Sequence, residues 1–267
     1  MWTRCNPGRF GGECESFFDV VPHGVVDLCY SSKQSADRWL SLSSECSWAG
    51  VACNEGGQVT SLRLPGVGLQ GVFPFFINRL KDLEELDLSY GSLRGPIPRS
   101  IRRLSKLRVL DLSHNLLVEP IPDPLTWLPL ERFNLKFNKF RETLPPSLGN
   151  LVRAVHLDLS DNEFMGPLPD ELSRAVTLQT LYLGNNKFAG AELPPSWGRL
   201  FALRELSLPQ NGLEGIIPTD FAGLTQLEIF DLHSNNLTGP LPEMPWPWLR
   251  TLHVHENGLD GPFPPEV

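Results

Sequence analysis

The sequence predicts an α/β solenoid, a right-handed coil in which short strands form one curved parallel β-sheet and the return segments are short, irregular or 3-10. Three observations predict it. A pattern of about 13 residues recurs nine times, at starts 22–25 residues apart. Apolar and polar residues alternate at the start of each copy, as in a strand with one buried face. Glycine and proline follow in most copies, which excludes a long helix on the return path.

The nine copies predict about nine coils, because a single coil cannot bury its apolar edge and must stack on its neighbours. Parallel strands in such a stack lie about 4.8 Å apart and are joined by right-handed crossovers. The copies begin at Leu62, Leu86, Leu110, Phe133, Leu157, Leu181, Leu206, Phe230 and Leu252.

Two columns of residues follow the strand in successive copies. The first is asparagine, whose amide can satisfy backbone groups that the coil buries, and it comprises Asn115, Asn138, Asn162, Asn186, Asn211, Asn235 and Asn257. Val67 and Gly91 occupy this slot in the first two coils, so we expect a ladder of amides that begins at the third coil. The second column returns to the core and comprises Leu69, Leu93, Leu117, Phe140, Phe164, Phe188, Leu213, Leu237 and Leu259.

By alignment of the copies, Trp197 replaces Leu148 and Trp248 replaces Leu224, and both are expected in the core.

Composition and motifs exclude several classes of function. Lys and Arg number 23 against 31 Asp and Glu, a net charge of −8, which argues against a protein that binds nucleic-acid phosphates. Because no apolar run reaches the roughly 18–20 residues of a membrane helix, we predict no membrane span. A Gly-rich phosphate loop, the kinase motifs and H-E-x-x-H are also absent from the sequence, so we predict no catalytic residues and no cofactor.

The segment L-x-G-x-I-P after each strand, as in Leu93–Pro98, resembles the plant-type leucine-rich repeat of receptor-kinase ectodomains and polygalacturonase inhibitors. Similar arrays occur in algal and other protist proteins. The resemblance implies a leucine-rich-repeat horseshoe whose concave face is the parallel sheet. Glu119 and Glu142 replace the glycine in two copies and Ala191–Glu192 lengthens a third, so we expect local irregularity there.

The segment CSWAGVAC, Cys46–Cys53, resembles the N-terminal cap motif of the same family, and the resemblance implies a Cys46–Cys53 disulfide. Residues 28–33 and 37–42 resemble a shortened capping helix. We therefore divide the chain into a Cys-containing N-terminal region and cap, residues 1–58, and a repeat array, residues 59–267, whose last coil is incomplete. Cys5, Cys14 and Cys29 allow one further bridge among three choices.

The cap cysteines and the family together predict an extracellular or secretory location. All five cysteines lie in the first 53 residues, which is typical of a disulfide-bonded cap in an oxidising compartment. No signal peptide is predicted, because the apolar stretch from Phe17 to Val26 is interrupted by Asp19, Pro22 and His23. Asn236 begins the one N-glycosylation sequon, Asn-Leu-Thr.

Candidate partner-binding residues are those that depart from the repeated Leu-Asp-Leu-Ser-x-Asn pattern on the concave face. Tyr90, His114 and Phe137 place rings in three successive coils, with Lys136 beside Phe137. Rigid aromatic side chains on a preformed surface carry much of the energy of interfaces, so we predict a partner along the sheet from Tyr90 to Tyr182. The departures further along the chain are His156, Tyr182, His233, His253 and His255.

Two polar clusters on this face could suggest catalysis or metal binding, but each has an interpretation that needs neither. The column Asp87, Asp111, Asp158 and Asp231 belongs to the family's default strand and is not a set of catalytic carboxylates. Asp231 and the histidines of the last two coils fall within about 5–7 Å of one another, close enough for a metal. Side chains on a sheet point outward in parallel and rarely converge on one ion, so we predict a solvated or partner-contacting surface and no metal.

These observations favour a non-enzymatic recognition module that binds a protein, peptide or glycan on its concave sheet, as an extracellular sensor or an inhibitor of a hydrolase. The alternative is a structural or assembly subunit, a scaffold within a larger complex that uses its edges and convex rim. A basic stretch on the second return path is predicted to be a solvated rim and comprises Arg99, Arg102, Arg103, Lys106 and Arg108.

Overall fold

The computed structural model describes residues 4–5, 14–15, 45–243 and 245–262. The predicted capping helix, the bridge among Cys5, Cys14 and Cys29, and the end of the ninth coil lie outside the described residues and side chains. The division at residues 58 and 59 stays a prediction.

Short strands of two to five residues recur along the chain, as the alternation of apolar and polar residues predicts. They are β1 (Arg4–Cys5), β2 (Cys14–Glu15), β3 (Val51–Cys53), β4 (Val59–Arg63), β5 (Gln70–Val72), β6 (Glu85–Asp87), β7 (Ser92–Gly95), β8 (Val109–Asp111), β9 (Leu116–Leu117), β10 (Arg132–Asn134), β11 (Arg141–Glu142), β12 (His156–Asp158), β13 (Glu163–Phe164), β14 (Thr180–Tyr182), β15 (Glu205–Ser207), β16 (Ile229–Asp231), β17 (Thr238–Pro240), β18 (Thr251–His253) and β19 (Gly258–Asp260).

Ten strands form the main sheet, in the order β18-β16-β15-β14-β12-β10-β8-β6-β4-β3. The nine from β4 to β18 are parallel and pair in register, so that the central leucine or phenylalanine of each strand lies beside that of the next. β3 pairs antiparallel with β4 and ends the sheet. Nine parallel strands, one for each sequence copy, confirm the predicted solenoid.

The return paths contain short 3-10 helices, and the described part of the chain contains no α-helix. A proline immediately precedes seven of the eight 3-10 helices, with φ between −62° and −75°, and this ring limits the conformation at the helix start. They are Glu45–Ser47, Phe75–Arg79, Arg99–Arg103, Asp123–Leu125, Pro146–Asn150, Asp170–Arg174, Pro195–Arg199 and Thr219–Gly223.

A second row of parallel strands, which the sequence analysis missed, follows the asparagine column. It consists of β5-β7-β9, β11-β13 and β17-β19, with isolated bridges from Met165 to Lys187 and from Glu192 to Glu214. The row therefore breaks between β9 and β11, in the coils of Glu119 and Glu142, and again around the lengthened sixth coil, which are the places where irregularity was expected. Glu119 and Glu142 both have φ of 73°, close to the 74–80° of the glycines that hold this position in six other coils; only Gly71 in the first coil differs, at 104°. The backbone turn is thus kept although a Cβ is present.

The core is a single stack of leucine, isoleucine and phenylalanine side chains. The predicted inward column is buried from Leu69 to Leu237, and Leu259 packs partly buried at the last coil. The asparagine ladder begins at Asn115, as predicted: its Nδ2 donates to the carbonyl of Leu88 at 2.9 Å, and its Oδ1 accepts from the Leu93 amide at 2.9 Å. A Cβ on Gly91 would lie 2.7 Å from that Oδ1, so a larger residue at this position would displace the Asn115 amide from its present place.

The structure confirms one of the two tryptophan predictions and corrects the other. Trp197 is fully buried and its indole N–H donates to the Pro169 carbonyl. Trp248, however, is 58% exposed, and Trp246 is buried in its stead. The Leu249 amide donates to the Trp246 carbonyl just as Leu224 donates to Phe221, so the alignment of this shortened segment was off by one residue.

The cap contains the predicted disulfide. Cys46 and Cys53 are bonded, with Cα atoms 5.5 Å apart, and the bridge joins the first described 3-10 helix to β3. Within the described residues, no helix is long and apolar enough to cross a bilayer.

Candidate functional site on the open face of the main sheet

The open face of the main sheet, the side opposite the leucine core, is largely built by one repeated hydrogen-bond pattern. Asp87, Asp111 and Asp158 each accept the hydroxyl and the amide of the serine two residues later, with hydroxyl distances of 2.5–2.6 Å. These carboxylates close the turn at the strand end. The aspartate column is therefore structural, which supports its interpretation as family background.

Three aromatic rings interrupt this polar face and form what we call the aromatic ladder, Tyr90, His114 and Phe137. The Tyr90 and His114 rings stack with centroids 4.1 Å apart, and His114 and Phe137 stack at 4.5 Å. Tyr90 is 61% exposed and Phe137 is 44% exposed. The rings thus contact one another and still present a large apolar surface to solvent.

The backbone of the aromatic ladder is left-handed, with φ of 55°, 54° and 52°. This conformation costs a bulky L-residue about 1–2 kcal/mol. The other coils place glycine or smaller or flexible polar residues at the same position, namely Gly66, Asp161, Asn185, Gln210, Ser234 and Glu256. The amides of Tyr90, His114 and Phe137 donate to carbonyls of the following coil at 2.8–3.1 Å, which fixes the backbone that carries the rings. The ladder is therefore pre-organised.

Lys136 extends the ladder on one side. Its Nζ lies 5.1 Å from the centroid of the Phe137 ring and 3.6 Å from a carboxylate oxygen of Asp161. A positive charge beside an aromatic face adds a site for an anionic or carbonyl group next to the apolar rings. Asp161 holds the same position in its coil as Phe137 but is not among the predicted residues, because an aspartate there does not stand out in the sequence.

His156 and Tyr182 form a second group in the next two coils. Their rings meet edge to face at 5.7 Å; the His156 ring nitrogen bonds the Thr180 hydroxyl, and the Tyr182 hydroxyl donates to Glu205. Burial is the main cause that lowers the pKa of His156, so its imidazole is kept neutral. Burial, followed by the hydrogen bond to Glu205, raises the pKa of Tyr182. Glu205 was missed by the sequence analysis because it departs from the pattern only as a single acidic residue.

The histidines of the last two coils form a third group. His233 stands where other coils have serine, and its Nδ1 lies 2.6 Å from Oδ1 of Asp231, the atom that the serine hydroxyl contacts elsewhere. His255 stacks on His233 with centroids 4.9 Å apart and an angle of 6°. His253 Nδ1 lies 3.9 Å from the other Asp231 oxygen. The nine predicted residues therefore lie on one face in three separate groups.

Two predicted features lie away from these groups. Asn236 is exposed beside β17, and its amide nitrogen is 3.4 Å from Glu214; its glycosylation stays a prediction. On the return side, Arg99, Arg102, Arg103 and Trp127 line an open groove of about 710 Å³. Trp127 is 75% exposed.

The disulfide cap, the nine stacked parallel strands and the asparagine ladder define a capped solenoid of short repeats. The family described as leucine rich repeat matches residues 57–117 and 176–237, and a second family of the same description matches residues 129–151 and 154–175. The chain belongs to the leucine-rich-repeat proteins.

Several of the similar proteins are plant receptor kinases. A receptor-like protein kinase of Arabidopsis thaliana that is named as inactive is 42% identical over 67 residues, which span 24% of this chain and 11% of that protein. The ectodomain of the Arabidopsis receptor kinase GASSHO1/SCHENGEN3, solved with CASPARIAN STRIP INTEGRITY FACTOR 2, is 35% identical with a TM-score of 0.79 and covers 82% of this chain. The HAESA ectodomain, solved with an extended IDA peptide hormone, is 32% identical with a TM-score of 0.81 and covers 87%. This chain spans only 27% and 40% of those two ectodomain chains.

Proposed function

We propose that the chain is a non-enzymatic, extracellular recognition module that binds an extended peptide on the open face of its main sheet. The aromatic ladder is the observation that carries this proposal. Three stacked, exposed rings occupy a backbone position where other coils have glycine or polar residues, and the left-handed conformation makes them costly to keep. Exposed aromatic surface of this kind is typical of a binding site.

The dimensions of the face suit a short peptide. Four intervals of about 4.8 Å separate the coil of Tyr90 from that of Tyr182, a span of about 19 Å, which an extended peptide covers with about six residues. Apolar side chains of the peptide would contact the aromatic ladder. A carboxylate or carbonyl group would contact Lys136, and a hydrogen-bond donor would reach Glu205.

Similarity and cap chemistry support the peptide over the other ligands considered. HAESA was solved with a peptide hormone, and the chain shares its fold over most of its own length. The Cys46–Cys53 bridge supports an oxidising compartment outside the cytoplasm. A glycan ligand and a hydrolase target have no comparable support.

The test is a binding measurement with a matched control. A displayed library of peptides is selected against the full chain, and the best peptide is titrated against Phe137→Ala and Phe201→Ala. Both substitutions remove an exposed phenylalanine, but Phe201 is 57% exposed and lies after the 3-10 helix Pro195–Arg199, on the return side. Loss of the ladder ring should weaken binding about 5–30-fold, equivalent to about 1–2 kcal/mol, whereas Phe201→Ala should bind as the parent does.

A second variant separates binding from folding. Phe137→Asn introduces the residue that coil six uses at the same backbone position, Asn185, so the fold should be unaffected while the ring is lost. Parent-like affinity in both Phe137 variants would contradict the proposal.

The return-side groove favours the alternative function, a scaffold. Arg99, Arg102 and Arg103 form no ion pair within the described part of the chain, and they surround the exposed Trp127. An acidic partner surface would complement them. If Arg102→Ala and Trp127→Ala abolish capture of the native partner and Phe137→Ala does not, the scaffold is the better description.

A further inference from the structure

The three groups on the open face differ in chemistry, and the group nearest the C-terminus has the composition of a metal site. Asp231, His233 and His253 each offer one ligand atom, and these three atoms all lie within 4.8 Å of one another. The side chains were expected to point outward in parallel. Instead the His233 ring turns back onto Asp231, and β16 and β18 pair Asp231 directly with His253.

The geometry needs only small side-chain movements to surround one ion. Zinc binds imidazole nitrogen and carboxylate oxygen at about 2.0–2.2 Å, so tetrahedral ligands lie about 3.2–3.6 Å apart. The distance from His253 Nδ1 to Asp231 Oδ2 is 3.9 Å, and that from His233 Nδ1 to Asp231 Oδ1 is 2.6 Å. The three ligand atoms, one from each residue, all lie within 4.8 Å of one another, so their separations must change by at most about 1.6 Å, which side-chain rotation can supply.

Neighbouring groups hold two of the three ligands, Asp231 and His233, in place. The backbone amide of His233 donates to Asp231 Oδ1 at 3.2 Å, which orients the carboxylate. The His255 ring, stacked on His233, limits rotation of that imidazole. Supporting contacts of this kind are what tune the affinity of a protein metal site.

We propose that Asp231, His233 and His253 bind one divalent transition-metal ion, with Zn²⁺ the best match. Two imidazoles and one carboxylate suit a borderline-soft cation and not Mg²⁺ or Ca²⁺, which prefer oxygen ligands. His253 is exposed, so the fourth coordination position opens toward solvent on the ligand-binding side of the sheet. Water or a side chain of a bound partner completes the coordination. The site is independent of the aromatic ladder.

The experiment titrates the chelator-treated full chain with ZnCl₂ by calorimetry, without any partner. His233→Ser is the main variant because it restores the serine that follows aspartate in the second, third and fifth coils, so the turn is kept while a ligand is removed. We expect one Zn²⁺ per chain, binding at least tenfold weaker in His233→Ser and in His253→Ala, and unchanged binding in His156→Ala. Co²⁺ should give the absorption bands of a tetrahedral ion in the parent and lose them in His233→Ser.

Two results would overturn the assignment. One is the lack of saturable binding of Zn²⁺ by the parent chain. The other is a stoichiometry and affinity in His233→Ser equal to those of the parent, which would place the metal on other groups. Either result leaves peptide binding at the aromatic ladder untouched.

Discussion

Asn162 in the fifth coil allows the sharpest test of the amide ladder. Its Nδ2 donates to the carbonyls of Leu135, Leu159 and Ser160 at 3.0–3.2 Å, and its Oδ1 accepts from the Phe140 amide at 3.1 Å. In Asn162→Leu the three carbonyls each keep another donor, from Asn138, Asn186 and the Phe137 amide. The Phe140 amide keeps none among the described contacts. The change therefore leaves one buried N–H donor without an acceptor, which should lower the free energy of unfolding by about 1–3 kcal/mol.

The loss is measurable by thermal unfolding and by hydrogen exchange. A loss of about 2 kcal/mol in the free energy of unfolding should lower the Tm by about 4–8 °C for a chain of this size. The exchange of the Phe140 amide should accelerate more than that of amides in distant coils, because repeats are stabilised by their nearest neighbours. Asn150→Leu, the same change at an exposed position, is the control and should unfold as the parent does. If Asn162→Leu keeps the parent's Tm and Phe140 protection, the ladder contributes nothing to stability and the reasoning is refuted.

Three further predictions test other parts of the fold. Cys46→Ala should lower the free energy of unfolding by about 2.5 kcal/mol, because the disulfide no longer closes its short loop, and the first coils should be most affected. Denaturant midpoints equal to those of the parent would contradict this. Glu142→Gly should raise the free energy of unfolding by about 0.5–1 kcal/mol, because glycine adopts the left-handed backbone of this position without strain. Gly166→Ala should lower it, because the new Cβ would lie 2.8 Å from Thr143. A lower Tm for Glu142→Gly would show that no strain is present. Burial lowers the pKa of His156 below its ordinary value near 6.5, so the unfolded chain binds the proton more readily than the folded chain does. The free energy of unfolding should therefore fall as the pH drops below about 6.5 toward the pKa of the folded state. His156→Gln should reduce that slope in urea midpoints between pH 5 and 7.5, and an equal slope in both proteins would argue against burial of the imidazole.

Much of the fold follows from the repeat, and the misses occur where the repeat is irregular. The 24-residue spacing and the asparagine column predicted the strands, the core and the start of the ladder at Asn115. The second row of strands was missed because Leu-x-Gly-x-Ile-Pro has no alternation that marks a strand. Trp248 was misplaced because the segment before it is shorter than its counterparts, and pattern alignment alone could not assign the missing residues. Packing decides this, since the Trp246 ring fits against Phe230 with centroids 4.9 Å apart.

The sequence by itself determined the periodic features, because each coil repeats the same local physics: an apolar face to bury, backbone groups to satisfy and a turn that needs glycine or proline. It also determined which residues depart from that pattern, and hence the nine candidates on the open face. Only the tertiary structure decided how the side chains within each group orient and contact one another. Stacking Tyr90, His114 and Phe137 requires that three left-handed residues come into register, and joining His253 to Asp231 requires the pairing of β16 with β18. The direction in which a side chain turns on the sheet depends on contacts with neighbouring coils, which the linear pattern does not contain.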